Sequence, residues 1–191
     1  MIEKLIKEYR HKTLTGKCID LVPLTDEMLE KVVALRNQDK SVYFLNQGNL
    51  LTLEMQKQWF DNYQKRYDDI YWAIYDKTNT FVGTMRLYDI SAGECVQGSF
   101  IIDEQYAKGA PYALEAEIMS LRFAFDVLGV EKVINEDRAD NANMNSLTKK
   151  LGFTYIKDTN VRGVDYKYYE LYKENLKTEK IEAVLDYWES R

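Results

Sequence analysis

Apolar residues recur along the 191-residue chain with two alternating periods. The stretch CIDLVPLT from Cys18 reads as a strand, and Thr25 or Asp26 caps a helix that puts Met28, Leu29, Val32 and Leu35 on one face and ends near Arg36 and Asn37. SVYFLNQGNL, from Ser41, reads as irregular. Thr52 and Glu54 then open a second helix, through about Arg66, that displays Leu53, Trp59, Phe60 and Tyr63. The period changes in DIYWAIYDKTNTFVGTMRLYDIS, where two β-rich runs flank the turn-forming DKTNT and predict a hairpin. A shorter turn at Ala92 and Gly93 leads into VQGSFIID as a third neighbouring strand.

After Pro111 the helical period returns: Leu114, Ile118, Leu121, Phe125 and Leu128 share one face, and Gly129 is placed to end that helix. EKVINEDRA reads as a strand, Asp140 or Asn141 caps a helix carrying Met144, Leu147 and Leu151, and Gly152 closes it. GFTYIKD and VDYKYYELYKE flank TNVRG as a final hairpin, and Ile181, Val184, Leu185 and Trp188 form a last amphipathic face after Thr178.

The length suits one domain with one sizeable core, and 46% hydrophobic with 30% charged residues is the balance of a soluble globular chain. A net charge of -5 argues against binding to a nucleic acid backbone. Cys18 and Cys95 are far apart with no metal-ligand spacing around them, so no metal site and no disulfide is expected, and a reducing cytoplasm fits. The charged start MIEKLIKEYRHK has no apolar run of a signal peptide, and no stretch approaches a membrane span. The sole histidine, His11, lies in this segment, which reads as peripheral, so histidine catalysis is not expected.

Three strings carry chemistry. In DEQYAKGAPYALEA, from Asp103, a glycine-containing turn passes directly into a helix, whose unpaired N–H groups and positive dipole end suit an anion; ordinary helix capping explains the same residues. DNANMNSLTKKLGF begins at Asp140, where Asn141 reads equally as an N-cap. LRNQ, from Leu35, precedes the helix LTLEMQKQWF, in which Trp59 and Phe60 read equally as core and Arg36 as a solvated helix end.

Together, from about residue 18 to 174, these strings and the element order resemble the GNAT family of acetyl-CoA-dependent N-acetyltransferases. Lys108, Gly109, Ala110, Pro111, Tyr112 and Ala113 occupy the six places of that family's pyrophosphate loop, with Pro111 departing from its second glycine and removing one N–H donor. The resemblance implies a mixed α/β (α+β) fold: a central, mostly antiparallel twisted sheet of six to seven strands, splayed between strands 4 and 5 and flanked by helices. It divides the chain into an N-terminal extension, 1–17, the acetyltransferase domain, 18–174, and a C-terminal amphipathic helix, 175–191, packed on that domain.

It further implies acetyl-CoA as co-substrate, no metal, and coenzyme contacts from Phe100, Ile101, Ile102, Lys108, Gly109, Ala110, Tyr112, Ala113 and Asn141, with Arg36 and Asn37 toward the acceptor. Many relatives place a tyrosine acid where this chain has Thr148, a hydroxyl too weakly acidic for matched proton transfer. Asp89 and Glu94 are the candidate catalytic bases. The expected partner is a small-molecule primary amine, first an amino-sugar nucleotide as in the subgroup closest to the LRNQ string, with no nucleic acid or membrane and a monomer or homodimer as the assembly. A protein N-terminus, an antibiotic, a polyamine, or a catalytically silent acyl-CoA-binding domain are the alternatives.

Overall fold

A computed structural model describes residues 2–190. One eight-stranded sheet organises the fold, in the order β1 (Leu14–Thr15), β2 (Ile19–Pro23), β3 (Ile70–Asp76), β4 (Phe81–Tyr88), β5 (Glu94–Ile102), β6 (Lys132–Arg138), β8 (Val164–Tyr172), β7 (Thr154–Val161). Every pairing is antiparallel except β5 with β6. The eighth strand, beyond the six or seven expected, is β1, whose two residues are too short to leave a period in the sequence.

Helices cover both faces. On one lie α2 (Leu29–Arg36) and α4 (Leu53–Lys65), joined by the short α3 (Asp39–Phe44). Thr52 starts α4 as its pattern requires, its Oγ1 accepting from the Met55 amide at 3.2 Å. Leu29, Val32, Phe60 and Tyr63 pack there around Tyr71. The larger core lies on the other face, against α1 (Ile2–Tyr9), α5 (Tyr112–Arg122), α6 (Ala142–Lys150) and α7 (Glu179–Glu189). Strand β3 serves both: Ile70, Trp72 and Ile74 point into the larger core and Tyr71 into the smaller, which explains a run of apolar residues with no polar alternation.

Two expectations change. Residues 41–44, expected to be irregular, form the end of helix α3; the sequence signal is weak because no side chain caps α3. The N-terminal segment is not peripheral: Ile6 is fully buried, Tyr9 meets Phe123 edge-on at 4.9 Å, and the Arg10 guanidinium donates to the Asp69 carbonyl at 2.8 and 3.1 Å. At the other end Ile181 and Leu185 of α7 join the same core. The helix begun at Tyr112 continues past Arg122 as a π-helical stretch, Phe123–Leu128, and stops at Gly129 in the left-handed conformation, φ 70°.

Candidate active site

Strands β5 and β6 pair only at Glu94↔Lys132, Cys95↔Val133 and Val96↔Ile134. Beyond Val96 they separate, while β5 stays on β4 through Thr84↔Ile101 and Gly83↔Ile102. A bulge drives the separation: between the pairs Arg86↔Gly98 and Thr84↔Ile101, β5 carries one residue more than β4. Ser99 takes φ 46° there, and its carbonyl accepts from Thr84 Oγ1 at 3.2 Å. The edge of β5 from Gln97 to Ile102, which includes Phe100, Ile101 and Ile102, is thus left without a β6 partner. A slot of about 100 Å³ opens between Ser99 and Phe100 on one side and Asn135, Asp137 and Asn141 on the other.

Helix α3 bridges the open end of this slot. At its start Gln38 Nε2 donates to Asp103 Oδ2 at 3.0 Å and Lys40 pairs with Glu104 at 2.9 Å, both on the loop after β5. At its end the Tyr43 hydroxyl donates to Asp140 Oδ2 at 2.5 Å, just after β6, and the Tyr43 carbonyl accepts from Arg138, the last residue of β6, at 2.8 Å. Phe44 and Leu45 complete the slot.

The turn before α5 has the form the sequence predicts. Gly109 adopts φ 94°, and a side chain there would meet nothing within 4 Å, so backbone conformation and not space demands glycine. Pro111 stands at the N-cap position, and no side chain caps α5 among the described residues. Lys108 is exposed, Ala110 and Ala113 are half-buried, and Tyr112 donates to Asp76 Oδ2 at 3.3 Å. Alongside runs a groove of about 700 Å³ between α6 and α7, lined by Leu114, Ser146, Lys149, Lys150, Lys177 and Lys180. Their shared groove escapes sequence reasoning because Lys149 and Lys150 end α6, Lys177 precedes α7 and Lys180 lies within it, helices whose pattern speaks only for packing. Asn141 acts as the N-cap of α6, its Oδ1 accepting from Met144 N at 3.2 Å, and also faces the slot.

Two buried carboxyl side chains line the slot beside the exposed Glu136, and none of the three is Asp89 or Glu94. Glu117 of α5 is 1% exposed and Asp137 of β6 is 7% exposed. Burial, reinforced by the charge of Asp137, pushes the Glu117 pKa up to about 8, against a hydrogen bond with Gln97. Burial likewise raises Asp137 to about 6, against the bond it accepts from Thr148 Oγ1 at 2.6 Å. The candidate bases stand elsewhere. Glu94 begins β5 where the strands still pair and binds Lys132 at 3.1 Å; Asp89 follows β4, exposed, 3.7 Å from Arg66. They are nearby in sequence to the slot but belong to the closed end of the sheet.

On the opposite face of β5 a second cavity, about 270 Å³, is lined by Arg36, Gln56, Trp59, Tyr71, Arg86 and Ser99. Arg86 is neutralised by Asp69, 1% exposed, through a forked pair with one arm at 2.9 Å, and its guanidinium lies 5.1 Å from the Trp59 ring centre. Arg36 has no anionic partner among the described residues. Asn37 does not face this cavity; its side chain accepts from Leu51 N at 2.8 Å, donates to Leu51 O at 2.9 Å, and so fixes the loop that forms one wall. Ser99 borders both cavities, so they meet at the bulge.

Comparison with known proteins agrees with this geometry. A family model described as an acetyltransferase (GNAT) domain matches residues 19–154. A nucleotide-linked sugar GNAT, FdhC, superposes with a TM-score of 0.77 at 25% identity over 91% of this chain and 97% of that one. A spermidine N-acetyltransferase from Vibrio cholerae, in complex with CoA and spermine, gives 0.74 at 15% identity over 84% and 98%. A GCN5-related N-acetyltransferase from Brucella melitensis gives 0.71 at 21% identity over 86% and 80%. No curated protein sequence matches. The chain belongs to the GNAT acetyltransferase family and is an acyltransferase. Enzymes of this family use acetyl-CoA as co-substrate.

Proposed function

We propose that the protein transfers the acetyl group of acetyl-CoA to the primary amine of an anionic small molecule, an amino-sugar nucleotide first among them. The observation that carries this reading is Arg36, a half-buried cation without an anionic partner, in a cavity that meets the strand opening at Ser99. Arg36 and the indole of Trp59 lining one cavity suit a phosphate and a flat base. A polyamine would need carboxylates there, and none lines the cavity. The 25% identity to the nucleotide-linked sugar enzyme points the same way.

The coenzyme follows from the other elements. Its diphosphate sits on the turn at Lys108, Gly109, Ala110, Tyr112 and Ala113, with the positive end of α5 behind it, and its phosphorylated adenosine lies along the lysine groove. The pantetheine arm runs beside Asn141 and along the unpaired edge of β5 at Phe100, Ile101 and Ile102. Nucleophilic attack then needs the amine neutral and aimed at the thioester through the bulge, with β5 amides facing the developing oxyanion.

Thiol release from acetyl-CoA, followed with amino-sugar nucleotides, the same amino sugars without nucleotide, and spermidine, tests the reading. Turnover with the nucleotide-linked amines at a KM at least about tenfold below that of the free sugars is expected, since an added charged hydrogen bond is worth about 1.5–3 kcal/mol. Turnover with spermidine alone would overturn the acceptor, and coenzyme binding without turnover on any amine would overturn the transfer itself.

A further inference from the structure

Glu117 is an anomaly in the slot. It projects from the buried face of α5, and its Oε2 has no hydrogen-bond partner although the residue is 1% exposed. The neighbouring Gln97, 3% exposed, also has an unpartnered Oε1, while its Nε2 donates to Ser120 Oγ at 2.8 Å. Both atoms are pure acceptors, and a proton on Glu117 adds a donor where two buried acceptors have none. Asp137 borders the same slot, is linked to Thr148, and raises the cost of a second negative charge. The groups packed around the pair are Gln97 from β5, Ser120 from α5, Asn135 from β6, Asn145 and Thr148 from α6, and Tyr169 from β8, whose hydroxyl donates to Asn145 Oδ1 at 2.8 Å. None of them is a cation; Arg138 and the exposed Glu136 also border the slot, but the Arg138 guanidinium is committed to the Asp140 carboxylate and the Tyr43 carbonyl. The proton therefore has no competing counter-charge.

We propose that Glu117 and Asp137 form a one-proton reservoir that protonates the departing thiolate of the coenzyme, taking the place of the acid that Thr148 cannot be. The inference rests on the acetyl-transfer reading above. In the step, the amine nitrogen bonds to the acetyl carbon, the C–S bond breaks with its electron pair going to sulfur, and the sulfur takes the reservoir's proton. The nitrogen releases its surplus proton to water on the Arg36 side, and water reprotonates the reservoir after the thiol leaves, so the cycle is neutral.

Glu117→Gln preserves the shape of the protonated residue and removes the proton. The wild type is expected to show an alkaline decline of kcat; the variant is expected to bind acetyl-CoA as the wild type does in titration calorimetry, to lose about a hundredfold in kcat, and to lose that decline. Asp137→Asn, which removes the neighbouring charge, is expected to move that decline to lower pH. Difference infrared spectroscopy should show a protonated-carboxyl band at neutral pH in the wild type that Glu117→Gln abolishes, whether or not an acceptor is known. An unchanged kcat and pH profile in Glu117→Gln, or no such band in the wild type, overturns the reservoir while leaving acetyl transfer standing. Wild-type protein that binds acetyl-CoA but acetylates no amine overturns both.

Discussion

The two faces of strand β5 differ more than any other neighbouring surfaces of the molecule. On the α5 side the slot holds Glu117, Asp137, Gln97 and Asn135, all buried, and Arg138, the one cation on its lining, is already paired with Asp140. On the α4 side the cavity holds Arg36 and Arg86 among Trp59 and Tyr71, without a carboxylate on its wall. The bulge at Ser99 is the single point where they touch. A thioester reaction benefits from that division, because acid is needed where sulfur leaves and cationic recognition where the acceptor is held. One strand one backbone thick keeps the two from neutralising each other, which a salt bridge between Arg36 and Glu117 would do.

The division can be broken most severely by reversing the charge of Arg36. Arg36→Glu is expected to raise KM for an anionic acceptor by about a hundredfold, with acetyl-CoA affinity unchanged by calorimetry. A variant that instead accepted spermidine would sharpen the contrast between the faces.

Stability should report the acid side directly. Both carboxyls have folded-state pKa values above the ordinary range, about 8 for Glu117 and about 6 for Asp137, so the native state binds more protons than the unfolded chain between roughly pH 4 and those values. Their contribution is present at low pH and is lost as pH rises, with a slope approaching 1.4 kcal/mol per pH unit for each proton. Urea unfolding at about pH 5 and about pH 8.5 should show the wild type weakening between them and Glu117→Gln weakening much less.

Smaller effects follow. Trp59→Ala should raise the acceptor KM by about tenfold through loss of ring contact while leaving the infrared signature of Glu117 intact. Lys177→Ala with Lys180→Ala should weaken acetyl-CoA by only a few fold, more at low salt than at high, because these cations stand in solvent.

The sequence made some of this legible and concealed the rest for physical reasons. The turn at Gly109 could be read because a glycine before a helix reports backbone geometry, and the positive φ is there. The strand opening was implied only by resemblance, since no pattern of side chains says where two parallel strands stop pairing. Glu117 was available to a stricter reading: it lies three residues after Leu114 and four before Leu121, an inward position occupied by a carboxyl. Asp137 likewise follows Val133 and Asn135 on the buried face of β6. Asp89 and Glu94 flank β5 in the sequence, but its nine extended residues set Glu94 at the paired end of the strand, far from the end that opens, and no sequence pattern reports that distance. The cation of Arg36 was visible, whereas its lack of a partner is a fact of three dimensions.

Glu115, one helical turn from the coenzyme turn, is 3% exposed, and its carboxylate accepts the amides of Lys17, Cys18 and Ile19 at 2.5, 2.7 and 2.9 Å. Gly16 must be small beside it, since a Cβ there would fall 2.7 Å from Glu115 Oε1. A shortened chain starting at Ile19, where the family match begins, would strand that anion with a fraction of its donors and remove Ile6 from the interior. The smallest unit that folds therefore reaches back well before the recognised segment, and the residues ahead of it are part of how α5 is anchored.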